Sequence, residues 1–129
     1  MFEFDKERYA HVKLGDTDYP LLLNTRATKE ICDKYDSIAR FGDMVMSAEN
    51  MGAALDTVCW CLALLINQPI EIHNRFHKEN SEPLVSAELL ELLSTPADFA
   101  VYQEAIMDAF QRGMKRNIPS GEAESDEKN

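Results

Sequence analysis

Tyr9-Ala10-His11-Val12-Lys13-Leu14-Gly15-Asp16-Thr17-Asp18-Tyr19-Pro20-Leu21-Leu22-Leu23, running on into Asn24-Thr25-Arg26-Ala27-Thr28-Lys29-Glu30-Ile31-Cys32, is the stretch whose reading decides the fold. Val12 and Leu14 alternate with His11 and Lys13, the period of two that a half-buried strand requires. Gly15 to Asp18 is a cluster of turn formers between two apolar runs, which marks a hairpin over about residues 9–23. Pro20 has no N–H to give to a ladder, so it belongs on an edge strand or among a strand's first residues. Two strands alone are not stable in water and must lie on something, here the helices that follow.

Working outward, the rest of the chain reads as helix. Asn24 or Thr25 caps a first helix from Thr25 to about Asp36, with Ala27, Ile31 and Tyr35 as its buried stripe. A short second helix holds Ile38, Phe41, Met44 and Val45 and is weakened by Gly42. Ser47 is the expected cap of the strongest helix, Ala48 to about Gln68, whose stripe is Met51, Leu55, Val58, Leu62 and Leu65. From Val58 onward this helix is apolar all round, so it is the central one, with Trp60 buried inside it. Pro69 is expected to end or kink it at Gln68. A more polar helix then spans Ile70 to Lys78, and Glu79 to Pro83 forms a loop. Ser86 caps a short helix through Leu93, and Thr95-Pro96-Ala97-Asp98 opens the last one, buried along Phe99, Tyr102, Ile106, Phe110 and Met114. Beyond Ile118-Pro119 no large apolar residue remains, so 119–129 is expected to be a disordered acidic tail. The expected architecture is mainly α: an N-terminal β-hairpin packed on a compact domain of about five helices, spanning 1–118.

The chain has 129 residues, 45% hydrophobic and 28% charged, enough for one core but not two. Its formal charge of −10 disfavours nucleic acid, which is held by clustered Lys and Arg, and anionic membrane surfaces for the same reason. Met1-Phe2-Glu3-Phe4-Asp5-Lys6-Glu7 has no apolar core of a signal peptide. The longest apolar run, Val58 to Ile66, is nine residues, too short to span a bilayer. Three cysteines in no framework spacing fit a reduced, cytoplasmic protein.

His73 and His77 stand one helical turn apart, the spacing of zinc-binding metalloprotease helices. The glutamate that would follow the first histidine is Asn74, and no third ligand is in sight, so no metal is expected. Cys59 and Cys61 point about 200° apart on a helix and sit in an apolar run, which makes them core residues. There is no phosphate loop and no nucleophile motif; neither an enzyme nor a cofactor is expected. The methionines read differently. Most serve as core filler, but Met44, Val45, Met46 and Met51 lie between Gly42 and Gly52, where a short methionine-rich helix could present a groove to apolar partners.

The layout of a small hairpin leading into an acidic helical body, with Lys13-Leu14-Gly15-Asp16 followed by Tyr19-Pro20-Leu21, resembles the tail assembly chaperones of long-tailed bacteriophages and prophages. The resemblance runs over most of residues 10–115. It implies a cytoplasmic protein of the bacterial host that holds the long, helical, aggregation-prone tape measure protein, with the tail tube protein as a further partner. It also implies self-association and absence from the finished particle. The competing expectations are a head-tail connector or other minor virion protein, and a small adaptor or regulatory protein of a mobile element.

Overall fold

The hairpin and five helices expected from the sequence are present. The structure, a computed structural model, describes residues 6–46 and 50–115. Strands β1 (Tyr9–Leu14) and β2 (Thr17–Leu22) form an antiparallel pair, followed by α1 (Thr25–Tyr35), α2 (Ile38–Met46), α3 (Met51–Phe76), α4 (Ala87–Leu93) and α5 (Phe99–Met114). Single 3-10 turns at Lys6–Arg8, Lys78–Asn80 and Pro96–Asp98 join them. The acidic stretch 119–129, the cap expected at Ser47 and the helix start expected at Ala48 lie outside the described residues.

The turn is tighter than the cluster of turn formers implied. Only Gly15 and Asp16 lie between the paired residues Leu14 and Thr17, and Gly15 has φ 64. A glycine at positive φ in the first of two loop positions is the pattern whose twist matches paired strands. In such a hairpin Val12↔Tyr19 is a bonded pair, and the neighbouring pair His11↔Pro20 is not. Pro20 therefore costs the ladder nothing and leaves the outer edge of β2 a donor short. Ala10, Val12 and Leu21 point inward, where α3 lies against β2 and α5 against β1.

Side-chain caps set the helix boundaries. Asn24 Oδ1 accepts the Ala27 N–H at 3.0 Å to open α1. Asp36 closes it at φ 82, a backbone region more at home with glycine. Asn50 opens α3, its Oδ1 accepting the Ala53 N–H at 3.1 Å, so the described helix begins at Met51. Ser86 caps α4 as expected, and the Asp98 carboxylate accepts the Thr95 N–H at 2.9 Å ahead of α5.

Two helix expectations need correction. The helix does not end at Gln68: α3 continues through Pro69 to Phe76 as one element. Pro69 cannot bond the Leu65 carbonyl, but Leu65 and Ile66 just before it are buried from all sides, and this tertiary packing outweighs the local preference. Gln68, the one buried polar side chain among the described residues, folds back to donate to the Leu64 carbonyl at 2.9 Å. The buried face of α5 also stops early. Tyr102, Ala105, Ile106, Ala109 and Phe110 are buried and Phe99 is half-buried, whereas Met114 lies open beyond the last supporting neighbour.

The core runs through all layers. Ile31, Phe41, Val45, Val58, Cys61, Leu62, Leu65, Leu90 and Ile106 are fully covered. Trp60 departs from expectation, being half-buried at the edge of this core. Its ring meets Tyr35 at 5.6 Å and Phe41 at 6.1 Å between centroids, and the Lys34 ammonium lies 4.4 Å from its centre. By length and composition α3 is long and apolar enough to cross a membrane, but half of its most apolar window is buried inside this fold.

Candidate interaction surface

Of the four residues singled out between Gly42 and Gly52, Met44, Val45 and Met46 fall on two sides of α2, and Met51 opens α3. Val45 is fully buried, while Met44, Met46 and Met51 are 41%, 57% and 52% exposed. The helical period explains the split: Phe41 and Val45, four residues apart, face the core, and the flanking methionines are turned out of it. Val45 therefore anchors the surface from beneath and does not belong to it. The glycines do not act as loose joints. Gly42 is buried within α2, 3.6 Å from the Met107 methyl, and Gly52 lies in the first turn of α3.

The end of α2 is fastened to α5 by one long-range bond. The Gln103 side-chain amide donates to the Val45 carbonyl at 2.6 Å, satisfying one of the orphan acceptors that every helix end leaves. This contact sets Met46 beside α5, and together they wall a groove of about 430 Å3 lined by Met46, Val101, Met107, Glu104, Asp108 and His11 among others. Val101 is exposed and Met107 partly buried against the core. The apolar floor thus has two carboxylates beside it. Asp108 holds Arg112 at 3.0 Å, and His11 is 3.0 Å from Asp18. The sequence alone did not bring Val101 into the site. An isolated valine on the outer face of an amphipathic helix carries no signal until the neighbouring helix is placed.

A second apolar area lies on α4. Leu90 is buried under it, but Leu92 is 79% exposed and Leu89 and Leu93 are also open. The extended segment leading into α4 is clasped by two asparagines of α3. Asn67 donates to the Val85 carbonyl at 2.7 Å and accepts its N–H at 2.8 Å. Asn74 does the same for Glu82, at 2.9 and 2.8 Å.

The groups with chemical potential are placed as follows. His73 and His77 stack at 4.4 Å between ring centroids, and each ring is within 3.1 Å of a backbone carbonyl, those of Asn80 and His73 respectively. Among the described residues no group of three or more His, Cys, Asp or Glu could hold a metal ion. Cys59 and Cys61 are buried core residues, in keeping with their reading from the sequence. Burial pushes the Cys61 thiol far up, and burial first, then Glu91 and Asp56, raises Cys59. Both stay protonated at neutral pH, which makes them poor nucleophiles and poor ligands. Tyr102 is raised by burial and, less, by Asp98. The arrangement is suited to holding apolar surface, and comparison with known proteins finds no matching family model, curated protein or solved structure.

Proposed function

We propose that this protein is a tail assembly chaperone of the long-tailed phage type, which holds helical segments of the tape measure protein in the host cytoplasm until the tail tube forms around them. The observation that carries this reading is the groove where Met46, Val101 and Met107 meet, open to solvent beside Glu104 and Asp108. Methionine side chains adapt to varied apolar shapes, and a groove between helices takes the apolar stripe of an amphipathic helix. The net charge of −10 keeps such a holder soluble while part of its surface is apolar. Self-association and contact with the tube protein belong to the same proposal.

The test is co-expression with a tape measure protein from the genome that encodes this chain, followed by affinity capture and mass spectrometry of purified particles. The wild-type chain is expected to retain the tape measure protein and to be missing from finished particles. The double variant Met46→Glu/Val101→Glu is expected to lose retention by about tenfold or more with an unchanged melting temperature, since both side chains are exposed. Presence of this chain in finished particles would refute the proposal in favour of a connector. Undiminished retention by the double variant would place the binding surface elsewhere.

A further inference from the structure

A second cavity, larger than the methionine groove, lies elsewhere on the molecule. About 550 Å3 opens between the end of β2, α1 from Thr25 to Asp33, Ile72 of α3, the 3-10 turn that carries Arg8, and the last turn of α5. Leu22, Leu23 and Ile72 supply its apolar part, and Arg8 and Lys29 stand on its rim. Asp33 is the one carboxylate on its lining. Neither Arg8 nor Lys29 forms an ion pair with any described residue, although the chain as a whole carries ten excess negative charges. The rim is held in place. Arg112 donates from Nε to Asp108 at 3.0 Å and from an Nη to the Glu7 carbonyl at 2.9 Å, which ties the turn bearing Arg8 to α5.

We propose that this groove is a second docking surface, and that its occupant is an acidic segment of a partner protein that places apolar side chains on Leu22, Leu23 and Ile72 and carboxylates against Arg8 and Lys29. Charge complementarity selects this chemistry. A small anion would leave the apolar floor wet, and a nucleic acid would meet only two cations and no aromatic ring in the lining. A neutral apolar helix would strand both rim charges under it. The surface is independent of the methionine groove and stands whatever that groove holds.

The experiment uses the full chain and two short labelled peptides, one of alternating leucine and glutamate and one with glutamine for every glutamate. Fluorescence anisotropy follows binding, and a thiol reagent reports position, because Cys32 lines this groove half-buried while Cys59 and Cys61 are buried. The acidic peptide is expected to bind about tenfold or more tighter than its glutamine counterpart, to weaken as salt rises and to slow Cys32 modification. Arg8→Glu/Lys29→Glu is expected to abolish that preference while retaining the wild-type circular dichroism. Arg40→Glu/Lys78→Glu, which reverses cations away from the groove, is expected to leave it intact. Equal binding of both peptides, or binding that ignores Arg8 and Lys29 or leaves Cys32 unprotected, overturns the proposal. So does much tighter peptide binding once Glu122, Glu124, Asp126 and Glu127 are changed to Gln, which would make the chain's own acidic stretch the occupant.

Discussion

Replacing Gly113 with alanine puts the packing of α5 on the hairpin to a direct test, because three helical glycines give opposite expectations. At Gly113 an added Cβ would stand 2.7 Å from the Leu23 carbonyl oxygen, 2.8 Å from its Cβ and 3.0 Å from its Cδ2. Unstrained carbon contacts lie at about 3.5–4.0 Å, so the overlap approaches ~1 Å against backbone that cannot swing aside. Relief requires the last turn of α5 to lift from the end of β2, the kind of overpacking that costs about 1–3 kcal/mol. Against this stands the gain of about 0.5–1 kcal/mol from removing a helical glycine. The net is a loss of about 1–2 kcal/mol, or roughly 4–8 °C in Tm for a domain of this size. At Gly42 the new methyl would meet only the Met107 methyl at 3.6 Å, and at Gly52 only the Asn50 Oδ1 at 3.6 Å, both ordinary contacts. Gly42→Ala should therefore stabilise by about 0.5–1 kcal/mol and Gly52→Ala by somewhat less, being in the first turn. Urea unfolding at fixed temperature, with unchanged m-values, reads all three. Should Gly113→Ala prove as stabilising as Gly42→Ala, the close seating of α5 on Leu23 would be refuted.

Three further outcomes follow from the same structure. Asn67→Ala should cost about 1–3 kcal/mol, because it strips both partners from the part-buried Val85 backbone, while the exposed clasp of Asn74→Ala should cost under ~1 kcal/mol; chemical denaturation separates them. Cys61 is held protonated in the fold, so its contribution to stability is complete below its unfolded value near 9.0 and falls as pH rises above it. Wild type should lose about 1.4 kcal/mol per pH unit more than Cys61→Ala above pH ~9, measured by urea titration across alkaline pH. Trp60→Ala should cost about 2–3 kcal/mol, less than a fully enclosed tryptophan, and Lys34→Ala about 0.5–1 kcal/mol through the ring contact; near-neutrality of Trp60→Ala in a melt would show the ring is not part of the core edge.

The elements that could be read from the sequence are those whose signals are local. Val12 and Leu14 alternate with polar neighbours, Gly15 stands where a positive φ is needed, and Asn24, Ser86 and Thr95 precede helices as caps. The failures are places where distant packing overrules a local rule. Pro69 sits in an unbroken helix because the residues before it are enclosed on every side. Trp60 and Met114 carry the right spacing for burial, but the neighbours that would cover them run out. The methionine site was half legible: helical period separates Met44 and Met46 from Val45, yet the groove needs α5 beside α2, where Gln103 bonds the Val45 carbonyl from 58 residues away. Its α5 wall had no signature in the chain.

The paired asparagine clasps also determine where this chain tolerates a change of length. Asn67 and Asn74 are seven residues apart on a helix, about 10.5 Å along its axis. Glu82 and Val85 are three residues apart in an extended segment, about 10 Å. The two rulers agree, so both amides engage at once without strain. An insertion or deletion between Glu82 and Val85 would put the rulers out of step and release one clasp, swinging α4 away from α3. Extra residues around Lys78–Asn80, ahead of the first clasp, would leave the match untouched, and it is there that insertions can accumulate while α4 keeps its place.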